Sequence, residues 1–379
     1  MILYNANIFT RDGLFEHGCV YIEDGKIKKL ELRDSNSNFS DEDIDCEGNY
    51  LIPGFIDIHF HGCNGYDFCD ATIQALDSIF NYELKHGITS ICPATMTYPE
   101  DKLMDVMLCA AKYKKDNELN IVGINMEGPF ISKDKVGAQN PDYVQKPNLE
   151  MLNRLQDASG GLIKLVDVAP EVDGAIDFIT KASKNYFISI AHTNCDYDTA
   201  IKTYVAGARH LTHTFNAMPS IHHRNPGPIV AASESGAYAE IICDGQHVNY
   251  AAVRLAYKIF ENKICLISDS CEATGLDDGE YNLGGQQIVK SGNKVVLKES
   301  PDTIAAGATN LYDCFKNAVL IAGIDLETAI ISASINPAKA IGIDLLYGSI
   351  EPGKYADLLI IDKKLNLLNV FKNGEIIER

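Results

Sequence analysis

The central part of the chain alternates short apolar runs with segments of helical periodicity. Eight apolar runs follow one another: LIPGFIDIHF, ITSICPAT, NIVGINMEG, LIKLVDVAP, FISIAHT, ARHLTH, AEIICDG and ICLISDS. Segments between them, such as ATIQALDSIFNYELKHG and YAAVRLAYKIFENK, carry apolar residues at helical spacing. Apolar strands that alternate with helices are typical of a parallel sheet covered by helices. The pattern therefore predicts an α/β protein built on a (β/α)8 TIM-type barrel.

The two ends of the chain show a different pattern, in which short alternating runs are joined by tight turns. The run CVYIEDGKIKKLEL predicts a hairpin with an Asp-Gly turn, and a polar loop follows at residues 34–43. Near the other end, YADLLIID and LLNVFKNGEII follow a Pro-Gly turn. We therefore expect residues 1–51 and 347–379 to pair into one small β-sandwich domain. The barrel would comprise residues 52–346.

Charge and composition exclude some classes of protein. Of the 379 residues, 52 are acidic and 33 are basic, which gives a formal net charge of −19 at pH 7. This balance argues against a nucleic-acid partner, because such surfaces normally carry a basic patch. Hydrophobic residues make up 46% of the chain and charged residues 22%, a composition typical of globular rather than disordered proteins.

Cysteine usage and apolar run length bear on the compartment. The eleven cysteines are scattered without a C-x-x-C pair. This pattern favours reduced thiols in a cytoplasmic protein over a disulfide framework. The chain has no apolar run of about 18 residues and no basic leader, so we expect neither a membrane span nor a signal peptide.

Polar side chains occur at the ends of several predicted barrel strands, where barrel enzymes place their catalytic groups. They are His59 and His61 after the first run, Glu127 after the third, His192 after the fifth, His213 after the sixth and Asp269 after the eighth. Two histidines two positions apart in an extended chain point to the same side and can bind one ion. Imidazole and carboxylate ligands suit Zn²⁺, and also Fe²⁺ or Mn²⁺. The sequence thus predicts a divalent-metal site.

These residues also have ordinary structural interpretations. Glu127 could cap a helix, although a glutamate that ends an apolar strand needs a partner. Asp269, in Ser-Asp-Ser, could be a helix N-cap. Lys164 lies in mid-strand and could bridge two ions if modified, but Glu127 can take that place, so we expect a structural lysine. Surface or packing positions are expected for three other histidines: His17, His86 and His210.

Longer motifs surround these residues. They are PGFIDIHFHG (53–62), MEGPF (126–130), KVGAQNPDY (135–143), AHTNC (191–195), LTHTFNAM (211–218), HHRNPG (222–227), DGQHV (244–248), SDS (268–270) and PGKYADLLIID (352–362). Together they resemble the amidohydrolase superfamily and, within it, the N-acetylglucosamine-6-phosphate deacetylases. The resemblance covers nearly the whole chain, and HTFNAM followed by HHRNPG is its most specific part.

The resemblance implies a metal-dependent hydrolase that converts N-acetylglucosamine 6-phosphate to glucosamine 6-phosphate and acetate in amino-sugar catabolism. By this resemblance, Glu127, His192 and His213 would hold the main catalytic ion. His59 and His61 would form a second site with Glu127 bridging. One or two divalent ions per subunit are therefore expected, with zinc preferred over iron, manganese or cobalt.

The resemblance also implies substrate contacts. Asp269 matches the catalytic acid/base, His247 matches a histidine near the acetamide carbonyl, and Arg224 matches a phosphate-binding arginine that enters from the neighbouring subunit. A homodimer with shared sites is therefore expected. Some members of the family carry histidine at the position of Gln139. The other residues implied in substrate binding are Ala138, Gln139, Asn216, Ala217, Ile304 and Ala305.

The chemistry of these groups agrees with the implied reaction. An acetamide is a poor electrophile, and a bound metal ion can lower the pKa of water from 15.7 to about 7. Asp269 can accept a proton from the attacking water and then give it to the leaving nitrogen. The ion and His247 can stabilise the oxyanion. The net charge repels a phosphate at long range, so the basic cluster His222, His223 and Arg224 is the best candidate for a local phosphate pocket, with a solvated loop as the alternative.

Two other functions stay open on the sequence alone. One is a different amidohydrolase reaction, on N-acetylgalactosamine 6-phosphate, a cyclic amide or a nucleobase. The other is a catalytically inactive barrel that serves as an assembly scaffold. The second is disfavoured, because an inactive barrel should have lost ligands or the aspartate after the eighth run, and here all are present.

Overall fold

The computed structural model describes residues 1–32, 39–116 and 121–378. Within them, eight strands occupy the positions of the eight predicted apolar runs. They are Phe55–Asp57, Ile88–Ile91, Ile124–Met126, Ile163–Val168, Phe187–Ile190, His210–Leu211, Tyr238–Ile242 and Ile264–Ile267. The last six form one parallel sheet in sequence order, and the first two form a parallel pair. The α/β class and the order of the eight strands agree with the prediction.

Main-chain contacts connect the strand pair to the six-stranded sheet on both sides. On one side, Ala94 and Asn125 form a parallel bridge. On the other, the N–H of Asp269 donates to the carbonyl of His59 at 3.0 Å, and the N–H of His61 donates to the carbonyl of Ser270 at 2.7 Å. The segments that follow the first and the eighth strands are therefore adjacent, which brings two predicted ligands beside Asp269.

Helices separate most of the parallel strands. The α-helices are Ile73–Lys85, Glu100–Asp116, Leu149–Ala158, Ala175–Ala182, Tyr197–Ala206, Gly227–Glu234, Tyr250–Phe260, Leu311–Leu320, Leu326–Ala333 and Ile335–Ala340. Short 3-10 helices lie at Phe68–Asp70, Lys133–Lys135, Pro141–Tyr143 and Glu261–Lys263. The side chains of Thr72, Asn148 and Asp196 accept hydrogen bonds from the first turns of the helices they precede, which satisfies amides that a helix start leaves unpaired. No helix in the described ranges has both the length and the hydropathy to cross a lipid bilayer.

Strands from the two chain ends lie in one mixed sheet. Its order is Glu375–Ile376, Leu367–Lys372, Leu358–Ile361, Tyr50–Pro53, Ile2–Phe9, Phe15–Glu23 and Lys26–Leu32, with Ile44–Asp45 beside Ile2–Phe9. The predicted N-terminal hairpin is present. Antiparallel pairing of Leu358–Ile361 with Tyr50–Pro53 joins the two ends of the chain. The sandwich arrangement and the domain boundaries stay predictions, and residues 34–38 of the predicted polar loop lie outside the described residues.

A further antiparallel sheet, which the sequence did not predict, follows the eighth parallel strand. Its strands, in order, are Gly279–Leu283, Gln286–Ser291, Lys294–Leu297 and Ile304–Gly307. Its first turn packs on two strand-end loops. Gly284 lies so close to Met96 that a Cβ at this position would be only 2.6 Å from Met96 Cε. Beside it, Gln286 Nε2 donates to the carbonyl of Ala138. A small hairpin, Gly62–Cys63 with Tyr66–Asp67, lies just after the first parallel strand.

Candidate metal centre and active site

Glu127 lies at the centre of the four predicted histidine ligands. Its Oε1 is 2.9 Å from His192 Nε2, 3.1 Å from His213 Nε2 and 3.4 Å from His59 Nε2. Its other oxygen, Oε2, is 3.3 Å from His61 Nε2. All five side chains are buried. Histidines from three other strand ends, far apart in sequence, thus converge on the carboxylate of Glu127.

Asp269 faces the same group from the end of the eighth strand. Its Oδ1 lies 3.5 Å from His61 Nε2 and 3.7 Å from His59 Nε2. Burial by itself would raise the pKa of Asp269, but the hydrogen bond with His61 and the positive charges of His59, His61 and His247 hold that pKa below its usual value. Asp269 is therefore an ionised carboxylate that can accept a proton, and it does not cap a helix.

Unusual main-chain conformations aim several of these side chains. His192, His213 and Asp269, each just beyond a strand, have φ of 42°, 26° and 51°. Phe215 and Ala217 in the same region have φ of 82° and 50°. Side chains other than glycine rarely adopt this region, at a cost of about 1–3 kcal/mol each, and it clusters at functional sites. The strain therefore supports a functional role for these strand ends.

The donor set fits a divalent cation. Two groups of ligand atoms within 4.8 Å of one another occur in the described residues: His59, His61 and Asp269, and His59, Glu127 and His213. His59 Nε2 is buried without a hydrogen-bond partner. Burial would lower the pKa of His59, but the carboxylates of Glu240 and Glu127 raise it well above its usual value. A field that favours a proton on this ring also favours a metal cation beside it.

The geometry bears on the predicted division of the ligands between two ions. His192 Nε2 and His213 Nε2 lie 3.1 Å apart, both next to Glu127 Oε1, as the predicted main site requires. His59, however, belongs to both groups of ligand atoms rather than only to a second site. The number of ions and the division of ligands stay predictions.

Gln139 contacts the ligand set directly. Its Nε2 donates to Glu127 Oε2 at 2.6 Å, and its Oε1 accepts the backbone N–H of Thr97 at 2.6 Å. Burial would raise the pKa of Glu127, but the charge of His59 and the hydrogen bonds with His192 keep it well below its usual value. Glu127 is thus an ionised carboxylate whose Oε2 accepts a hydrogen bond from the amide of Gln139. The predicted contact of Gln139 with substrate stays a prediction.

His247 is held by an aspartate that the sequence analysis did not single out. Its Nδ1 lies 2.7 Å from Asp244 Oδ2, and its Nε2 lies 3.7 Å from Asp269 Oδ2. Burial would lower the pKa of His247, but the hydrogen bond and charge of Asp244 raise it. With Nδ1 bound to Asp244, Nε2 can carry a hydrogen toward the reacting atoms.

A cavity of about 320 Å³ opens over these groups. Seven of the predicted substrate contacts line it: Ala138, Gln139, Asn216, Ala217, His247, Ile304 and Ala305. His61, Glu127, His192, His213 and Asp269 also line it, and the fully buried His59 contacts Glu127 beside them. These six side chains are called the floor of the cavity below. Ile304 and Ala305 come from the last strand of the unpredicted antiparallel sheet, and the acidic Asp302 in the turn before that strand also lines the cavity. The cavity is large enough for a small molecule.

Arg224 is the predicted contact that does not line this cavity. It is exposed in the 222–224 loop, and its Nη1 lies 2.6 Å from His223 Nε2. Among the described residues that line the cavity, none is a lysine or an arginine. One subunit by itself therefore offers a phosphate no lysine or arginine side chain among the described lining residues.

The sequence analysis missed Glu240, which is fully buried in the seventh parallel strand. Burial would raise its pKa, but the charge of His59 and the hydrogen bond with His210 hold it well below its usual value. The available signal was an acid near the start of the apolar run AEIICDG, where it is flanked by apolar residues. His210 is buried against this acid, so its packing interpretation holds. His17 is exposed, and Lys164 lies in the strand Ile163–Val168, where its structural role stays a prediction.

Comparison with known proteins agrees with this geometry. The chain matches the amidohydrolase family over residues 50–377. It is 32% identical to the N-acetylglucosamine-6-phosphate deacetylase of Bacillus subtilis (strain 168), covering 99% of this chain and 96% of that protein. It is 27% identical to the N-acetylgalactosamine-6-phosphate deacetylase of Escherichia coli O157:H7, covering 99% and 98%. The crystal structure of the N-acetylglucosamine-6-phosphate deacetylase of Pasteurella multocida aligns with a TM-score of 0.94 and 30% identity, covering 100% of this chain and 99% of that one.

Proposed function

Because the chain belongs to the amidohydrolase family and, within it, to the N-acetylglucosamine-6-phosphate deacetylases, we propose that it deacetylates N-acetylglucosamine 6-phosphate. The products would be glucosamine 6-phosphate and acetate, in amino-sugar catabolism. The observation that carries the proposal is the convergence of four histidines and two carboxylates on the floor of one cavity. The relatives that carry this activity in their names match this chain over almost its full length.

The floor of the cavity would hold one or two divalent ions, with zinc preferred and iron, manganese or cobalt as alternatives. We assign Glu127, His192 and His213 to the main ion, and His59 and His61 to a second position shared with Glu127. When bound, the ion supplies Lewis-acid activation of water and of the amide carbonyl. The remaining chemistry is carried out by side chains of this chain.

Asp269 would move the proton. It is ionised, buried and at the edge of the ligand set, so it can take a proton from the attacking water. Once protonated, it can deliver that proton to the nitrogen of the collapsing intermediate. Cleavage of the C–N bond then releases the sugar as an amine. A single carboxylate thus serves first as base and then as acid.

His247 would bind the carbonyl oxygen of the acetamide. Asp244 holds its Nδ1, which leaves the Nε2 hydrogen directed toward Asp269 and the cavity. The raised pKa favours the charged imidazolium, the stronger donor to a developing oxyanion. His247 is therefore suited to stabilise the tetrahedral intermediate while Asp269 handles the proton.

The phosphate would be bound by groups from two subunits. Asn216 and Ala217 line the cavity of one subunit and would contribute polar contacts. The cavity lacks a basic side chain among its described lining residues, and Arg224 is exposed and turned toward His223 instead. We propose that Arg224 enters the cavity of the neighbouring subunit in a homodimer.

The finer architecture and the location belong to the same proposal. The solved relatives and the contacts on both sides of the strand pair support a closed (β/α)8 barrel with a small β-domain formed by both chain ends. All eleven cysteines lie in the described residues and none is in a disulfide. Cysteines outside disulfides and a sugar-phosphate substrate favour the cytoplasm.

A second candidate is deacetylation of N-acetylgalactosamine 6-phosphate, which is favoured by the match to the relative of that name. The two substrates differ only in the orientation of one sugar hydroxyl. Acetate release from both phosphorylated sugars and from unphosphorylated N-acetylglucosamine, measured with the metal-loaded enzyme, decides between them. We expect the highest kcat/KM for N-acetylglucosamine 6-phosphate, and faster release from the galacto sugar would select the second candidate.

Asp269→Asn is the matched control in that assay, because it keeps the size of the side chain and removes its ability to cycle a proton. The variant should retain metal and lose acetate release, which excludes a contaminating activity. If the metal-loaded wild type releases no acetate from either phosphorylated sugar, the proposed function is wrong.

A further inference from the structure

A buried carboxylate outside the predicted ligand set contacts the metal centre at two points. Glu240 Oε2 accepts hydrogen bonds from His59 Nδ1 at 2.9 Å and from the backbone N–H of His213 at 3.0 Å. Its Oε1 lies 3.0 Å from His210 Nε2. The side chain is fully buried, and a buried charge is costly unless it is paired. These three donors therefore stabilise the charged carboxylate in its buried position.

The contact with Glu240 decides which nitrogen of His59 carries its hydrogen. A carboxylate can only accept, so the hydrogen lies on Nδ1. The other group near this nitrogen, Asn125 Nδ2 at 3.3 Å, is itself a donor and also contacts the carbonyl of Ile58. It cannot accept the hydrogen from Nδ1, and Glu240 is the acceptor.

With Nδ1 bound to Glu240, Nε2 is the ring nitrogen of His59 that is left to ligate a metal ion. This atom faces Glu127 Oε1 at 3.4 Å and Asp269 Oδ1 at 3.7 Å. It is buried and has no hydrogen-bond partner. A ring nitrogen that faces two carboxylate oxygens without a hydrogen bond to either is placed to share a metal cation with them.

We propose that Glu240 is a positioning residue of the metal centre. It holds His59 in the tautomer and orientation that a metal ligand needs, and it anchors the main chain at His213. Outer carboxylates that orient ligating histidines typically change metal affinity roughly 10- to 100-fold when mutated. The inference rests on the proposed metal-dependent function, but it concerns binding of the ion and not the chemistry of the acetamide.

Glu83 provides a matched control. It is also a fully buried glutamate, and neither of its carboxyl oxygens has a hydrogen-bond partner. The neighbouring Cys63 thiol donates to the carbonyl of Ile79 instead. Because Glu83 contacts no predicted ligand through a hydrogen bond, Glu83→Gln changes a buried carboxyl without disturbing the metal centre.

Titration of the metal-free proteins with Zn²⁺, in competition with a chromogenic chelator, tests the inference. In Glu240→Gln, one carboxylate oxygen is replaced by an NH₂ group that would face the N–H donors of the neighbouring histidines and cannot accept from them. We therefore expect the dissociation constant for Zn²⁺ to rise roughly 10- to 100-fold. Glu83→Gln should bind Zn²⁺ as the wild type does. Equal affinity in Glu240→Gln and wild type overturns the role of Glu240. If the wild type itself binds no Zn²⁺, the proposed function fails, and the inference fails with it.

A measurement on the wild type covers the case in which Glu240→Gln does not fold. In zinc-loaded protein labelled with ¹⁵N-histidine, long-range ¹H–¹⁵N spectra report which nitrogen of each ring is protonated. The signals of His59 can be assigned by their absence in His59→Gln. We expect hydrogen on Nδ1 and none on Nε2. Protonation of Nε2 in the zinc-loaded protein would contradict the proposal.

Discussion

The floor of the cavity and the 222–224 loop contain the two main groups of charged side chains expected to act on substrate. The floor residues contact one another within a single subunit, whereas Arg224 in the loop does not reach the cavity of its own subunit. On the floor, six buried side chains lie within 3.7 Å of a neighbour in the set, and both carboxylates are ionised. In the loop, Arg224 is exposed, and it contacts two neighbouring histidines.

The difference shows that metal binding and substrate binding have different structural requirements. Ligands for an ion must be fixed to within tenths of an ångström, so they lie at strand ends held by buried partners. A phosphate contact can come from a mobile arginine on an exposed loop, because the charge acts over a longer range. Changes on the floor should therefore act within each subunit, whereas changes in the loop should act between subunits.

The largest effect is expected on the floor, from His213→Ala or His192→Ala. Each removes an imidazole next to Glu127 Oε1, so the catalytic ion and nearly all acetate release should be lost. Metal content by elemental analysis, together with kcat/KM, checks this.

His61→Ala is the comparison variant, because His61 faces the other oxygen of Glu127. It should remove at most one ion and leave substantial turnover. Equal loss of metal from His61→Ala and His213→Ala would show that the ligands are divided wrongly.

The next largest effect is expected from Asp269→Asn. The amide keeps the shape of the side chain but cannot cycle a proton, so kcat should fall at least about 100-fold. Metal content should stay at the wild-type level. A near-normal kcat in this variant would refute the acid/base role of Asp269. None of the other floor residues would then have an assigned role in proton transfer.

A smaller effect is expected from Arg224→Ala in the loop. Loss of a charge-assisted phosphate contact costs about 1.5–3 kcal/mol, which corresponds to about ten- to a hundred-fold in kcat/KM. Most of the loss should appear in KM, because the phosphate is held equally in the ground and transition states. Kinetics with phosphorylated and unphosphorylated substrate measure it, since the unphosphorylated sugar should be unaffected.

Subunit mixing separates the two regions directly. In a heterodimer of Arg224→Ala with Asp269→Asn, one of the two sites would receive both intact groups if Arg224 acts on its neighbour, so activity should partly return. If subunit exchange is verified and no activity returns, Arg224 does not act between subunits, although it could still bind phosphate within its own.

The smallest effect on activity is expected from Glu83→Gln. This variant compares a buried carboxyl outside the floor with the ionised carboxylates of the floor. Histidines keep the floor carboxylates ionised, whereas burial without such partners raises the pKa of Glu83 from 4.5 to about 8. The folded protein then binds a proton that the unfolded chain releases. The contribution of Glu83 to the free energy of unfolding is therefore complete below about pH 4.5 and is lost as the pH rises toward 8.

Thermal unfolding across that range checks the prediction. Relative to Glu83→Gln, the free energy of unfolding of the wild type should fall by at most about 1.4 kcal/mol for each unit that the pH rises. At a given pH the two proteins should have the same kcat/KM. A difference between the two proteins that does not depend on pH would mean that Glu83 is already ionised in the folded state.

Much of this protein can be predicted from its sequence, because the relevant patterns are local. Apolar runs of strand length mark the eight parallel strands, and a polar residue just after such a run is at a strand end whatever the rest of the chain does. The six floor residues follow from that rule. The antiparallel sheet of residues 279–307 did not follow, because its strands are half-exposed and their apolar pattern is weak.

Only the tertiary structure decided which groups surround those residues. Glu240 and His59 are 181 positions apart, so no local pattern can indicate that one fixes the tautomer of the other. The same holds for Gln139, whose amide holds Glu127 Oε2, and for Arg224, which lies outside the cavity of its own subunit. A residue's type and local period are properties of the chain, whereas its hydrogen-bond partners depend on how distant strands meet. The sequence by itself was enough to select the six predicted floor residues, and the packing of distant strands decided which groups hold them.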